Sequence, residues 1–249
     1  MKKTIQKKSK HTVFITGATS GIGLEISRKF AGEGWGVICH YNSSDKKAMA
    51  LKEEMMAYGV SCVLVKADLS SKSGIDKLVK KIKTLKIDSV INNAGSYLAS
   101  KHFTKLTTDD IDKTFMVNVF APIRITSAVF AAMKKNMFGR IVNISSIAAK
   151  YGGSSRSMHY GCSKLALEGL TRTIAREGAE FNILANTVRP GVIDTDFHKK
   201  FPKDMKARIS MIPMKRMGRP EEVADLIYYL GSGKNSFVTN ETIAIAGGE

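Results

Sequence analysis

The sequence predicts an α/β fold: a single domain built on one doubly wound parallel sheet of about seven strands, with helices on both faces. Three observations predict it. Short apolar runs of strand length alternate with helix-length amphipathic stretches along the chain. The first run, Thr12-Val13-Phe14-Ile15-Thr16, enters a glycine-rich turn, Thr16 to Gly23, that opens directly into a helical pattern. A later run, Asp88 to Asn92, ends in Asn92-Asn93-Ala94-Gly95, at the kind of strand C-terminus where an open parallel sheet places its ligands. The 249 residues suit one large domain, 12–249, behind a basic tail, 1–11, with no internal boundary or repeat.

The first turn, T-G-A-T-S-G-I-G, carries Gly17, Gly21 and Gly23 between a strand and a helix. Glycines let the backbone approach a pyrophosphate, and free N–H groups at the helix start bind its charge. The spacing G-x-x-x-G-x-G differs from the commoner G-x-G-x-x-G. Ile22, Ile26 and Phe30 then form one helical stripe. Gly36 to Tyr41 reads as the second strand. An acid at its end would bond a ribose and repel a 2′-phosphate. The residues there, Cys39-His40-Tyr41-Asn42-Ser43-Ser44, contain none before Asp45, and Lys46 and Lys47 follow. This favours NADP(H) over NAD. His40 reads as a strand-end surface residue.

A helix from Asp45 to Tyr58 and a strand from Ser61 to Lys66 come next. Asp68 either borders a ligand or caps the helix that runs from Ser71 to Leu85. Thr107-Thr108-Asp109-Asp110 starts a long helix reaching about Lys135, with capping oxygens followed by acids. Within it Pro122 has no N–H and leaves the carbonyl near Asn118 unpaired. Gly139 to Ser146, Phe181 to Val188 and Thr242 to Ala246 are the remaining strands, and Pro220 opens the last helix. Asp196 to Pro213, polar and without a firm pattern, is the expected substrate lid.

The chemistry concentrates between Ile141 and Lys164. Tyr160 and Lys164 are four apart, hence one turn apart on one helix face. An ammonium beside a phenol favours phenolate, which makes a proton donor and acceptor usable near neutral pH. Ser145 and Ser146, at the end of the fifth strand, can bring a hydroxyl to the same place. Cys162 reads as a small packed residue.

Composition excludes several classes. Apolar and charged shares of 43% and 24% are ordinary for a globular protein. No apolar run approaches the roughly 20 residues of a membrane span. The start has lysines but no signal-peptide core. Cys39, Cys62 and Cys162 are sparse and lack a C-x-x-C pattern. A cytoplasmic protein with reduced thiols, no membrane partner and no metal is expected. The net charge of +17 would attract acidic partners. Its lysines are scattered: Lys2, Lys3, Lys7, Lys8 and Lys10 in the tail, and Lys77, Lys80, Lys81 and Lys83 on one helix. No basic helix carries interleaved aromatics, so nucleic acid is not the expected partner.

The motifs Thr16 to Gly23, Asn92-Asn93-Ala94-Gly95, Tyr160-x-x-x-Lys164 and Pro190-Gly191, in that order, resemble those of the short-chain dehydrogenase/reductase family. The resemblance runs from Thr12 almost to the end. It implies a Rossmann-like fold and carbonyl reduction, or the reverse oxidation, with NADP(H). It implies a catalytic set of Asn118, Ser146, Tyr160 and Lys164. Tyr160 would exchange the proton, Ser146 hold the carbonyl oxygen, Lys164 hold the cofactor ribose, and the Asn118 carbonyl hold a water. Cofactor contacts would come from Gly17, Thr19, Ser20, Gly21, Ile22 and Gly23. Tyr41, Asn42 and Ser43 would lie at the second strand, Asp68 and Leu69 at the adenine, and Asn92, Ala94 and Gly95 near the ribose. Pro190, Gly191, Ile193 and Thr195 would lie along the nicotinamide. The segment from Ser146 to Tyr160 is one residue longer than is usual in the family, which implies an altered rim.

Within the family, G-R-P-E-E-V-A and the terminal glycines are most similar to the 3-oxoacyl-acyl-carrier-protein reductases, and the basic surface suits an acidic carrier. Met137 and Phe181 stand where those reductases often have arginines, with Lys134, Lys135 or Arg176 as replacements. A carrier-bound 3-oxoacyl thioester of fatty acid biosynthesis is the first implied substrate. Sugars, steroids and small ketones share every motif and stay open, as does an NADP-binding regulatory protein without turnover. The resemblance also implies a homotetramer, pairing the long helices around Asn118 and Tyr160 and the last helix and strand.

Overall fold

The computed structural model describes residues 9–95, 99–196 and 204–249. Lys2, Lys3, Lys7 and Lys8 of the basic tail and residues 197–203 of the expected lid lie outside them.

The strands are β1 (Thr12–Ile15), β2 (Gly36–Tyr41), β3 (Cys62–Lys66), β4 (Ser89–Asn92), β5 (Gly139–Ile144), β6 (Ile183–Pro190) and β7 (Thr242–Ile245). They form one sheet in the order β3-β2-β1-β4-β5-β6-β7, and every neighbouring pair is parallel. The helices are α1 (Gly21–Gly32), α2 (Asp45–Ala57), α3 (Lys72–Ile82), α4 (Thr108–Phe115), α5 (Ala121–Asn136), α6 (Ala148–Tyr151), α7 (Met158–Gly178), α8 (Met205–Ser210) and α9 (Pro220–Gly231). A sheet covered on both faces needs strands that are apolar throughout rather than alternating. β2 and β5 are accordingly buried along their whole length.

Each face has its own core. On one, α1, α2 and α9 pack Ile26, Phe30, Leu51, Met55, Val223 and Ile227 against the sheet. Phe30 meets Trp35 and Tyr228 edge-on, and its full burial stabilises by roughly 1.5–3 kcal/mol. On the other face, α3, α5 and α7 contribute Leu78, Ile82, Ile125, Val129, Met133 and Ile174.

The long helix begins where its sequence requires. Thr107 Oγ1 accepts the Asp110 N–H, and Asp110 Oδ2 accepts the Thr107 N–H, a reciprocal cap. It is not one uninterrupted α-helix. Met116–Phe120 is a π turn, in which the Ala121 N–H reaches back to the Met116 carbonyl. The widening lies directly before Pro122, which cannot donate to the carbonyl of Asn118. The combined stretch Thr108–Asn136 is 29 residues long, and its most apolar 18 residues have a mean hydropathy of 1.6, enough by length and composition to cross a membrane. In the fold its Ala121, Ile125, Val129 and Met133 pack into the core.

Two of the strand ends that differ from expectation bear on the site and its surroundings. β5 stops at Ile144, so Ser145 and Ser146 leave the sheet. β6 starts at Ile183 because Phe181 closes a 3-10 turn and Asn182 takes a left-handed conformation, φ 55°.

Candidate active site

The strand order reverses between β1 and β4, and the loops there turn to opposite faces. The crevice this leaves at the strand C-termini is where an open α/β sheet binds ligands. It is a cleft of about 1750 Å³.

Its floor is the turn after β1. Gly17 has φ +66°, open to glycine at little cost. A Cβ on Gly23 would stand 2.1 Å from the Gly17 carbonyl oxygen, so only glycine fits. Ser20 precedes α1 without a side-chain cap, and the first turn of α1 has no acid. The N–H groups there are left for an anion. Asn93 secures the turn: its Nδ2 donates to the carbonyls of Thr16 (2.9 Å) and Gly17 (3.2 Å). Thr16 Oγ1 accepts the N–H groups of Asn93 and Ala94.

His40 completes the lock, and here the structure corrects the sequence reading. It is 2% exposed, not a surface residue. Its Nδ1 accepts the Gly17 N–H at 3.2 Å and its Nε2 lies 3.1 Å from the Ala67 carbonyl, which fixes a neutral ring with the proton on Nε2. Burial pushes its pKa down to about 4.

Beyond His40, the cleft is lined by Tyr41, Asn42, Ser43, Ser44 and Lys47. Asp45, the nearest acid, is turned onto its own partners: it accepts the Tyr41 hydroxyl at 2.8 Å and pairs with Lys66 at 2.6 Å. This end therefore presents hydroxyls, an amide and an ammonium. Asp68 does not cap α3; Ser71 does, accepting the Gly74 N–H. Asp68 Oδ1 instead accepts from Ser70, with Leu69 beside it on the cleft wall.

The reactive side is built by β5 and α7. Leaving the sheet turns Ser145 inward, where its hydroxyl donates to Glu168 Oε1 at 2.7 Å, and turns Ser146 to the cleft. Glu168 also pairs with Arg189, so the ends of β5 and β6 are bolted to α7. Tyr160 lines the cleft with Lys164 one turn on, its Nζ 5.7 Å from the phenol ring centre. Lys164 is 2% exposed and donates to the Ile144 carbonyl at 2.6 Å. Burial pushes its pKa down to about 8. A Cβ on Gly95 would meet that ammonium at 2.6 Å, so the small residue of Asn-Asn-Ala-Gly makes room for the lysine head. Asn118 is fully buried and does not line the cleft. Its Nδ2 donates to Ser163 Oγ, which donates to the Tyr160 carbonyl. Thus Ser146, Tyr160 and Lys164 line one cleft. The arrangement can hold an oxygen, move a proton to it, and stabilise the resulting phenolate.

Every other expected cofactor residue lines the same cleft: Gly17, Thr19, Ser20, Gly21, Ile22, Gly23, Ala94, Gly95, Pro190, Gly191, Ile193 and Thr195. Asn92 does not. It is 1% exposed, and its Nδ2 donates to Asn143 on β5, a tie between strands inside the core. Cys162 is exposed rather than packed. Among the described residues no group of His, Cys, Asp or Glu could hold a metal. The sequence reading missed His40 as the clamp on Gly17 and the Glu168–Arg189 pair. Each joins residues at least 21 apart in the chain, and only charge and polarity in apolar strands and helices hinted at them.

Comparison with known proteins agrees with this geometry. A family model described as enoyl-(acyl carrier protein) reductase matches residues 17–249. The chain is 35% identical to the 3-oxoacyl-[acyl-carrier-protein] reductase FabG of Aquifex aeolicus, over 94% of this chain and 95% of that one. It is 36% identical to the FabG of Thermotoga maritima, with the same coverage. A crystal structure of a blue fluorescent protein from a metagenomic library, in complex with NADPH, superposes with a TM-score of 0.89 at 31% identity. That match covers 96% of this chain and 98% of that one.

Proposed function

The chain belongs to the short-chain dehydrogenase/reductase family of oxidoreductases, and on that premise we propose that it is an NADPH-dependent reductase of 3-oxoacyl thioesters carried on acyl carrier protein. The observation that carries the reductase reading is the single cleft lined by Ser146, Tyr160, Lys164 and the glycine turn. The residues fit the cofactor. A cradle closed to any Cβ at Gly23, a helix start without an acid, and Gly95 kept small beside Lys164 suit a dinucleotide. Asn42, Ser43, Ser44 and Lys47, with Asp45 turned away, suit a 2′-phosphate. The NADPH complex of a relative supports the same choice.

When bound, the nicotinamide supplies the hydride. The chain supplies position and charge. Ser146 Oγ donates to the substrate carbonyl oxygen and holds it against Tyr160. Tyr160 gives its proton to that oxygen as negative charge develops there. The Lys164 ammonium, 2% exposed and close to the phenol, stabilises the phenolate left behind. Asn118, through Ser163, fixes the first turn of α7 that carries Tyr160. Its neighbouring π turn is where a proton-supplying water would be held.

The relatives' names support the thioester substrate. So does the net charge of +17, which complements an acidic carrier. Lys134 sets its ammonium 3.8 Å above the Phe181 ring, returning a positive charge to a position where carrier-docking arginines are expected. A cytoplasmic homotetramer completes the reading. The exposed apolar side chains Ile111, Phe120, Ile123 and Leu165 around α4, α5 and α7 suit one contact. The open edge of β7 with Tyr229 and Phe237 suits the other.

The test is loss of NADPH absorbance with acetoacetyl-carrier protein, free acetoacetyl thioester, a sugar and a simple ketone. Carrier-bound substrate should be consumed fastest, and Tyr160→Phe should cut its turnover by about 10²–10⁴. A sugar or ketone preferred over both thioesters would overturn the substrate, and a Tyr160→Phe enzyme of wild-type rate would overturn the mechanism.

A further inference from the structure

One charged pair in the cleft is used neither by the catalytic residues nor by the cofactor cradle. Arg208, on α8, reaches Glu249, the last residue of the sequence, with Nη2 2.5 Å from Oε1. Both residues line the cleft, together with Met211, Pro213 and Gly248. The Glu249 side chain is 9% exposed and that of Arg208 25%. The contact is single rather than a two-bonded fork. Arg208 Nη1 and Glu249 Oε2 are both buried with no hydrogen-bond partner. Oε2 lies against the loop after β6: a Cβ on Gly191 would be 3.3 Å from it.

The pair at the cleft therefore holds one unmet donor and one unmet acceptor. Leaving such groups buried and unpaired is costly, since each has given up its water without a replacement. A hydrocarbon placed there recovers neither. A carboxylate satisfies Nη1 but is repelled by Glu249. A hydroxyl or an amide accepts from Nη1 and donates to Oε2, and recovers both. We propose that Arg208 and Glu249 are specificity-determining residues that receive a hydroxyl or amide carried by the carbonyl substrate. Substrates with only hydrocarbon at that place are rejected, because sites built to hydrogen-bond a group discriminate strongly against analogues lacking it. The inference rests on the reductase reading above. In a 3-oxoacyl thioester on a pantetheine-type arm, the group is the amide nearest the thioester.

Two matched pairs of substrates test it by NADPH oxidation. One is the acetoacetyl thioester of N-acetylcysteamine against the S-butyl thioester, which lacks the amide. The other is hydroxyacetone against butanone. In the wild-type protein kcat/KM should favour the polar member of a pair by at least about tenfold. Arg208→Met, and separately deletion of Glu249, should each bring that ratio close to one, with thermal unfolding used to select folded variants. A wild-type ratio near one in both pairs, or a ratio that survives in both folded variants, would overturn the proposal. Turnover of the ketone pair alone, with its ratio lost in the variants, would support the proposal and overturn the thioester substrate. No turnover of any of the four would overturn both.

Discussion

Two buried cations sit at the two ends of β5, and they could hardly be used more differently. Arg140, at the start of the strand, is 2% exposed. Its guanidinium donates to the carbonyls of Gly139, Asn182, Ser232 and Asn235, at 2.8–3.2 Å, and its face covers the Phe138 ring. Lys164 lies at the other end, equally buried, and donates to the Ile144 carbonyl. Burial pushes both pKa values down, to about 10 for Arg140 and about 8 for Lys164. A guanidinium has five N–H donors and an ammonium three. The arginine is spent on its own backbone and knits β5, β6 and the end of α9 together. The lysine keeps donors for whatever enters the cleft. A buried cation committed to backbone carbonyls is architecture; one that keeps donors in hand at a strand C-terminus is chemistry.

The contrast can be broken from either end. Replacing Lys164 with Met should have the largest effect. Turnover should fall by about 10² or more, while stability holds or rises, because an expensive buried charge has been removed. Activity assays beside denaturant titration check both halves. A folded Lys164→Met enzyme of near-wild-type rate would erase the distinction. Arg140→Met should do the reverse. It strands several carbonyls and should cost about 3 kcal/mol of stability, read as a shifted urea midpoint, with kcat/KM of the folded fraction within about twofold of wild type.

The third prediction sharpens the comparison by adding a group that is structural yet sits at the cleft. His40 is neutral in the fold, with its pKa lowered to about 4 from 6.5. Between those values the unfolded chain binds a proton that the folded one does not. The contribution of His40 is therefore complete above about pH 6.5 and is lost as pH falls toward 4, amounting to about 2 kcal/mol at pH 5. NADPH affinity should hold down to pH 5 and weaken only as pH approaches 4, where the folded ring itself takes a proton and the acceptor for the Gly17 N–H is lost. Calorimetric unfolding at pH 7 and pH 5, and cofactor titration at pH 7, pH 5 and pH 4, are the measurements. Affinity that holds at pH 4 in protein still folded would separate His40 from the turn.

These differences mark how far the sequence could be read. Tyr160 and Lys164 were legible because a four-residue spacing on one helix fixes their neighbourhood locally. The glycine turn was legible for the same reason, being one continuous stretch between a strand and a helix. Asn92 and Asn93 were readable only as a pair. One enters the core and the other straps the turn, and the choice depends on where β4 ends. His40 looked like a strand-end polar residue, because its partners, Gly17 and Ala67, lie on other segments. Ser145 and Ser146 both border the cleft, and what sets them apart is that Ser145 is held by Glu168 of α7, 23 residues on. Arg208 and Glu249 carried no pattern at all, since their meeting depends on the path of the chain from α8 to Glu249.

The strap from Asn93 to the carbonyls of Thr16 and Gly17 spans 76 to 77 residues of sequence. The phosphate turn is therefore not a local object that a partly folded chain could display. It exists only when β1 and β4 lie side by side at the centre of the sheet. Any ligand recognised by that turn binds the complete fold alone, and so stabilises it by mass action. At a concentration one hundred times its Kd, the gain is about 2.7 kcal/mol. For this protein, cofactor supply and resistance to unfolding become the same variable.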